Sequence, residues 1–325
     1  MSVSRKITLR TLAAELEVCP ATVMRALSGH PSVRPELRQR IIRFAAERGY
    51  SLPSRRTGNI AVIIAGMSFQ GYLGALLGPL YDELIARDLK PYLIPQTVAP
   101  HLADCMFDGL ISTTWIPGLE KQYPKEHALP FVALNSMDNR LDNIFMVSSD
   151  ETEGMNLGIS YLFNMGHRRI AFLFSSPAEN PSRLERIQAI RHCCMSYNLP
   201  CEEFLLVRTK NFSFDRIIDR VLELQADALF MVSEGIALEV YALLHQRGIR
   251  IPEDLSVMGL ECGDSISCCN PPLTALRQDF EGLARESVMM LEKQIKGIPV
   301  VHNIRLPFQF IERASVRKRN VCCKD

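Results

Sequence analysis

Arg25 is the side chain best placed to do specific chemistry. It lies in the stretch VCPATVMRALSG, residues 18–29, where Val23 and Leu27 stand four apart and share one face of a helix. Ala21, Met24, Arg25 and Ser28 then point elsewhere. A guanidinium is a rigid fork of donors that matches the acceptor pair on a guanine edge; a phosphate contact is the other use of the same group. The remaining reactive types form no comparable pattern. The ten cysteines fall into three adjacent pairs (Cys193-Cys194, Cys268-Cys269, Cys322-Cys323) and four singles, without the C-x-x-C spacing of a metal site. They read as buried small hydrophobes plus a few exposed thiols in a reducing compartment. Gly71, Gly74 and Gly78 are wrongly spaced for a dinucleotide loop, and neither a G-x-S-x-G nor a His pair at ligand spacing occurs. His167, in GHRRI, reads as structural. Neither a catalytic residue nor a metal or cofactor is expected, and an enzyme is disfavoured.

The elements that carry Arg25 follow from punctuation and charge. Thr8 can cap a helix over Leu9–Leu16, Glu17-Val18-Cys19 breaks it, and Pro20 suits the first turn of the next. That second helix runs to about Ser28, with Gly29 as a stop. Pro35 opens a third, Glu36–Arg48, with Leu37, Ile41, Phe44 and Ala45 at helical spacing. This is a helix-turn-helix layout, whose second helix enters the DNA major groove. Residues 1–58 carry eleven Lys and Arg against four Asp and Glu, whereas the rest carries 26 against 32. A basic head on an acidic body is the charge footprint of a nucleic-acid reader joined to something else.

Downstream, Ile60–Ala65 is a β-branched run suited to a strand covered on both faces. Strands at Pro91–Ile94, Gly109–Ile111, Phe131–Leu134, Ile170–Phe174, Leu205–Val207, Ala228–Val232 and Ser256–Gly259 are expected. Between them come helices at Leu73–Ala86, Gly154–Met165, Leu184–Tyr197, Phe214–Leu224 and Ala237–Arg247. Such alternation implies parallel sheets with right-handed crossovers. Only twelve residues separate Ile94 from Phe107, near the lower limit for a parallel crossover. The longest apolar run, Ile60–Met67, is too short to span a bilayer, and no leader pattern opens the chain, so a cytoplasmic protein is expected.

The stretch ITLRTLAAELEVCPATVMRALSG, continued by VRPELRQRIIRFAAERGY, resembles the headpiece of LacI-family (lac repressor-like) transcriptional regulators. The body stretches VSSDETEG, NMGHRRIAFL, RGIRIPEDLSVMGLE, PPLTALRQDF and LPFQFIERASV are similar to that family's ligand-binding domain. The resemblance implies an all-α helix-turn-helix headpiece (1–50), a short linker (51–58), an α/β two-lobed periplasmic-binding-protein-like body with parallel sheets (59–318) and a tail (319–325). Lobe one is expected at about 59–147 plus 274–303, lobe two at about 148–273 plus 304–318.

By the same resemblance, Pro20, Ala21 and Arg25 take base-contacting positions, with Thr8, Thr22 and Arg34 on the DNA surface and Arg55 and Arg56 seeking phosphates. Departures are visible: Glu17 stands where the family usually has Gly, and Cys19 where it has a Ser cap. The linker YSLPSRRTGN lacks the leucine-bearing hinge helix, so less DNA bending and weaker ligand coupling are expected. The interlobe cleft is expected to use Thr113, Asn135, Arg183, Phe212, Ser233, Glu234, Glu261, Gln278 and Phe280, with Trp115 near its mouth. An arginine fork, acids and amides for hydroxyls, and rings for an apolar face suit a sugar-like or phosphosugar effector.

The resulting expectation is an effector-controlled repressor that binds double-stranded operator DNA as a homodimer and has no membrane partner. Only nine residues follow Val316, too few for a tetramer-forming leucine repeat. A DNA-binding regulator that has lost effector binding is the alternative.

Overall fold

A computed structural model describes residues 7–27, 32–48, 50, 57–66, 71–97, 107–113, 129–135, 145–175, 180–209, 211–263 and 266–319. Arg55, Arg56, Trp115, most of the linker and the Cys322-Cys323 pair lie outside these residues.

The headpiece is three helices: α1 (Leu9–Glu15), α2 (Pro20–Leu27) and α3 (Pro35–Glu47). Thr8 caps α1: its hydroxyl accepts from the Thr11 amide at 3.2 Å, and the Thr11 hydroxyl accepts from the Thr8 amide at 2.8 Å. This reciprocal pair satisfies two donors that a helix start leaves open. The far end closes by two backward bonds, Glu17 N–H to Ala14 O (3.3 Å) and Val18 N–H to Ala13 O (3.0 Å), with Glu17 at φ 56°. That closure is a Schellman motif, whose left-handed residue is ordinarily glycine. Val23 and Ala26 are the fully buried positions of α2, whereas Leu27, expected as the second anchor, lies partly buried at the edge of the same core. Leu12, Ala13, Leu16, Val33, Ile41 and Ala45 complete that core.

The described residues of the body form two six-stranded sheets. In lobe one, β1 (Asn59–Ile64), β2 (Lys90–Pro95), β3 (Gly109–Ser112), β4 (Phe131–Leu134), β5 (Phe145–Ser149) and β11 (Asn303–Leu306) take the order β11-β5-β4-β3-β1-β2, with every pair parallel. Helices α4 (Gly71–Ile85) and α9 (Phe280–Ile295) pack on one face through Leu76, Leu80, Leu84, Leu283, Val288 and Leu291. In lobe two, β6 (Ile170–Phe174), β7 (Leu205–Val207), β8 (Ala228–Met231), β9 (Ser256–Glu261), β10 (Thr274–Arg277) and β12 (Gln309–Ile311) take the order β12-β10-β9-β8-β6-β7. Here only β12 runs antiparallel, along the edge beside β10. Helices α5 (Glu151–Asn164), α6 (Pro181–Ser196), α7 (Phe214–Glu223) and α8 (Ala237–Gln246) join this lobe's core.

Apart from Asn59 at the start of β1, the central strands β1, β6 and β8 are buried throughout, as both-sided cover requires, and so read as apolar runs rather than alternations. The chain changes lobes three times: after β5, after β10 and between β11 and β12. Two expected boundaries move. Residues 274–277, expected in lobe one, pair with β9 in lobe two, and residues 303–306 pair with β5 in lobe one. β1 lies between β2 and β3 in the sheet, and residues 98–106, which join those two strands, lie outside the described residues.

A left-handed backbone costs an L side chain energy that glycine does not spend. Glu17→Gly is therefore expected to stabilise the headpiece by about 0.5–1 kcal/mol. Amide hydrogen exchange across α1 and α2 in the full chain, slowed by roughly 2–5-fold, checks this.

Candidate functional site

Both lobes contribute to a polar cavity of about 180 Å³, lined by Tyr72, Thr113, Asn135, Glu151, Asn180, Ser182, Arg183, Arg186, Glu234 and Gln278. Thr113, Asn135, Gln278 and Glu234 each follow the carboxyl end of a strand, where open α/β sheets place their ligands. Asn135 ends β4 in a left-handed turn (φ 47°), a conformation that Asn tolerates.

Arg186 is the centre of the site. Its Nε and Nη2 fork onto Glu151 at 2.7 and 2.9 Å. The second Nη2 proton reaches Glu234 Oε1 at 3.0 Å. Nη1 donates to Val232 O at 2.8 Å and to Glu234 Oε2 at 3.4 Å. All five guanidinium protons are thus engaged within the protein. Burial pushes the Glu151 carboxyl up from its ordinary range, and the Arg186 charge draws it back. Glu151 is held there because Asp150 caps α5, accepting from the Glu153 amide at 3.0 Å, which leaves Glu151 in the first turn.

The network runs on into lobe one. Glu234 Oε1 also accepts from the Gln278 amide at 2.8 Å. The Gln278 carbonyl accepts from Asn135 Nδ2 (2.6 Å) and Ser149 Oγ (2.8 Å). Asn135 Nδ2 also donates to the Tyr72 hydroxyl at 3.1 Å, and Asn135 Oδ1 accepts from the Ser149 amide at 2.8 Å. Burial raises the Tyr72 hydroxyl, which stays protonated at neutral pH. Ser182 Oγ on α6 donates across to Asn135 O at 3.1 Å, and Arg305 on β11 pairs with Glu185 on α6 at 2.6 Å.

Of the nine expected cleft residues, Thr113, Asn135, Arg183, Glu234 and Gln278 line the cavity. Arg183 sits in the first turn of α6, its amide capped by Asn180 at 3.3 Å, and its guanidinium stands 5.8 Å from the Phe174 ring. Arg183, expected to fork onto the effector, is joined in the lining by Arg186, one turn further along α6. The other four are not among the lining residues. Phe212 packs against the lobe-two core, and Phe280 is buried 5.9 Å from Tyr72 in lobe one. Ser233 Oγ is taken by the Ser175 amide at 2.9 Å. Glu261 is clasped by Arg313 at 3.0 and 3.1 Å, so its carboxylate braces β9 rather than facing the cavity. Sequence reasoning missed Tyr72, Glu151, Asn180, Ser182 and Arg186. The available signals were the i, i+3 pair Arg183/Arg186 and the Asp150-Glu151 helix start.

A second candidate surface is on the headpiece. Ala21 and Arg25 are exposed on the side of α2 away from Val23 and Ala26, and Pro20 is exposed at its start; Thr22 is half-buried, and Thr8 and Arg34 are exposed. Cys19 opens α2 with its sulfur 3.0 Å from Thr22 Oγ1, and that hydrogen bond holds the thiol below its usual range. His167 plays the structural part expected: it is fully buried, with Nε2 3.2 Å from Arg317 O and Nδ1 3.3 Å from Asp227. Among the described residues no cluster could hold a metal ion, and no helix is long and apolar enough to cross a membrane.

Residues 159–316 match the model of a periplasmic binding protein-like domain. The HTH-type transcriptional repressor CytR of Escherichia coli is 26% identical over 350 residues, covering 95% of this chain and 96% of that protein. Among solved structures, the transcriptional regulator CelR in complex with cellobiose superposes with a TM-score of 0.70 at 23% identity, covering 95% of this chain and 100% of that one. The lac repressor dimer bound to operator also gives 0.70, at 20% identity, covering 96% of this chain and 100% of that one.

Removing one partner of a buried ion pair leaves an uncompensated charge, at a cost of about 3–5 kcal/mol. Arg186→Leu is expected to lose that much stability at pH 7.5, read as a lower urea midpoint. The deficit should shrink on acidification. In the variant, the folded Glu151 pKa lies further above its unfolded value of about 4.3, so stability is lost as pH rises through that window and regained as pH falls. Urea midpoints at pH 7.5 and 5.5 check the sign.

Proposed function

We infer that this chain is a sequence-specific DNA-binding transcriptional regulator, a repressor, controlled by a small polyhydroxylated effector in the interlobe cavity. The observation that carries this reading is one chain joining two devices. One is a helix with Val23 and Ala26 buried and Pro20, Ala21 and Arg25 exposed; the other is a two-lobed domain whose cavity is shared by both lobes. An effector acts only through different affinities for two lobe arrangements. The crossing bonds Ser182–Asn135 and Arg305–Glu185 are the contacts such a rearrangement would exchange. No catalytic step is assigned to the cavity, and the site of action is the cytoplasm.

Effector chemistry follows from the donors already spent. Because all five Arg186 protons are engaged, the Glu151 and Glu234 carboxylates and the Tyr72 hydroxyl are the groups left to meet a ligand from the cavity floor. Carboxylates accept from hydroxyls and repel anions, which favours a neutral polyol over a phosphosugar. Binding as a homodimer to a near-palindromic operator fits the exposed apolar face of α4 and β2, where Tyr81, Ile85, Tyr92 and Leu93 stand open beside a groove lined by Leu77 and Pro91. A regulator that has lost effector binding is the second reading, favoured by the same saturated Arg186.

Operator fragments selected from random DNA by the full-length protein test the DNA arm. Arg25→Ala is expected to weaken binding by about 1–3 kcal/mol and to relax preference at one base pair. A uniform loss across all sequences with a shallower salt dependence would make Arg25 a phosphate contact instead. Calorimetry against neutral monosaccharides, disaccharides and their phosphates tests the effector arm. A neutral sugar is expected to bind, with Glu234→Ala weakening it at least tenfold; heat from none of them supports the second reading.

A further inference from the structure

The outward face of α2 is poor in hydrogen-bonding side chains. Val23 and Ala26 are buried, with Thr22 and Leu27 half-buried on either side of them. The Thr22 hydroxyl stands 3.0 Å from the Cys19 sulfur. That leaves Pro20, Ala21, Met24 and Arg25 exposed on this helix. Met24 follows Ala21 by three residues and Arg25 follows it by four, so the three share one side with Ala21 in the middle. Met24 is 53% exposed, although its neighbour Val23 is fully buried. Of these four side chains, only that of Arg25 carries a strong hydrogen-bonding group.

A helix so equipped can tell base pairs apart in two ways. The guanidinium can fork onto guanine, whereas the other three side chains can meet only apolar surface. On the major-groove edges of the bases, the apolar group is the C5-methyl of thymine. The other edge groups and the flanking phosphates are polar; against a thioether they would lose water without gaining a hydrogen bond. Reach then decides among the three. The ring of Pro20 is tied to the backbone at the helix start, and Ala21 offers a single carbon. Met24 is unbranched, with three rotatable bonds and a polarizable sulfur, so it extends beyond Ala21 and adjusts to the surface that it meets.

On the reading of α2 as the helix that enters the major groove, on which this rests, we propose that Met24 is a specificity-determining residue. Its thioether packs against the C5-methyl of a thymine beside the guanine that Arg25 reads. The two neighbours in sequence then read by different physics. Arg25 selects by paired hydrogen bonds; Met24 selects by removing a methyl group and its own exposed chain from water. Cytosine lacks that methyl group and presents an amino donor instead, so it is refused at this position.

The test uses the full-length protein and the duplex that it selects from random DNA. Each thymine of that duplex is replaced in turn by uracil, which pairs as thymine does and lacks only the methyl group. In wild type, the swap at one thymine of each half-site should weaken binding by about fourfold, the worth of one buried methyl group. In Met24→Ser the same swap should leave affinity unchanged. Met24→Leu, which keeps an apolar chain of similar volume, should retain the penalty. Equal uracil penalties in wild type and Met24→Ser overturn the proposal, since another residue would then hold the methyl group. The absence of any uracil penalty in wild type overturns it as well. In both cases the selected motif leaves the DNA-reading role of α2 standing. Selection that enriches no motif overturns that role and the proposal together.

Discussion

Burying a guanidinium between two carboxylates is the constraint around which the body is arranged. Each ion loses several kcal/mol of hydration on leaving water, and only near-complete hydrogen bonding offsets that loss. Arg186 meets the requirement with Glu151 from one helix start, Glu234 from one strand end and the Val232 carbonyl between them. Three separate segments of lobe two must therefore converge to within hydrogen-bond distance. Gln278 carries the same geometry outward, because its amide donates to Glu234 while its carbonyl accepts from Asn135 and Ser149 in lobe one. Charge satisfaction in one lobe thus fixes amide orientation in the other.

The headpiece shows the opposite economy. Its core is a handful of apolar residues, with Thr8 capping the first helix. Val23 and Ala26 turn one side of α2 into that core, which leaves the other side to Ala21 and Arg25. The sulfur of Cys19 does at the start of α2 what a serine hydroxyl does elsewhere, at a longer reach.

Much of this architecture was legible in the residue pattern. Punctuation by Thr8, Pro20 and Pro35 placed the three headpiece helices to within a residue or two, because caps and proline act locally. The continuous apolar runs of β1, β6 and β8 were equally plain. The strands β5, β10, β11 and β12 carried weaker signals: they are short, and β11 mixes exposed and half-buried positions, so periodicity does not distinguish them from loop. The same weakness moved residues 274–277 and 303–306 between lobes. In the cavity, positions fixed by strand ends were found, as Thr113, Asn135, Glu234 and Gln278 show. Positions fixed by helical phase were not. Arg183 and Arg186 both lie toward one face of α6, and only packing decides which of them reaches the floor. Glu261 was misplaced for a related reason: Arg313, far away in the chain, claims it.

The three lobe crossings have a consequence for how this molecule can be divided. Neither lobe is a continuous stretch of chain, since β11 and β12 are neighbours in sequence yet complete different sheets. A stop codon near residue 300 would strip an edge from both lobes at once, exposing β5 in one and β10 in the other to pairing with foreign strands. A cut in the middle of the chain would likewise yield two fragments, each lacking part of its own sheet. The body therefore stands or falls as one heritable unit, whereas the headpiece, ahead of the first crossing, can be exchanged by a single junction.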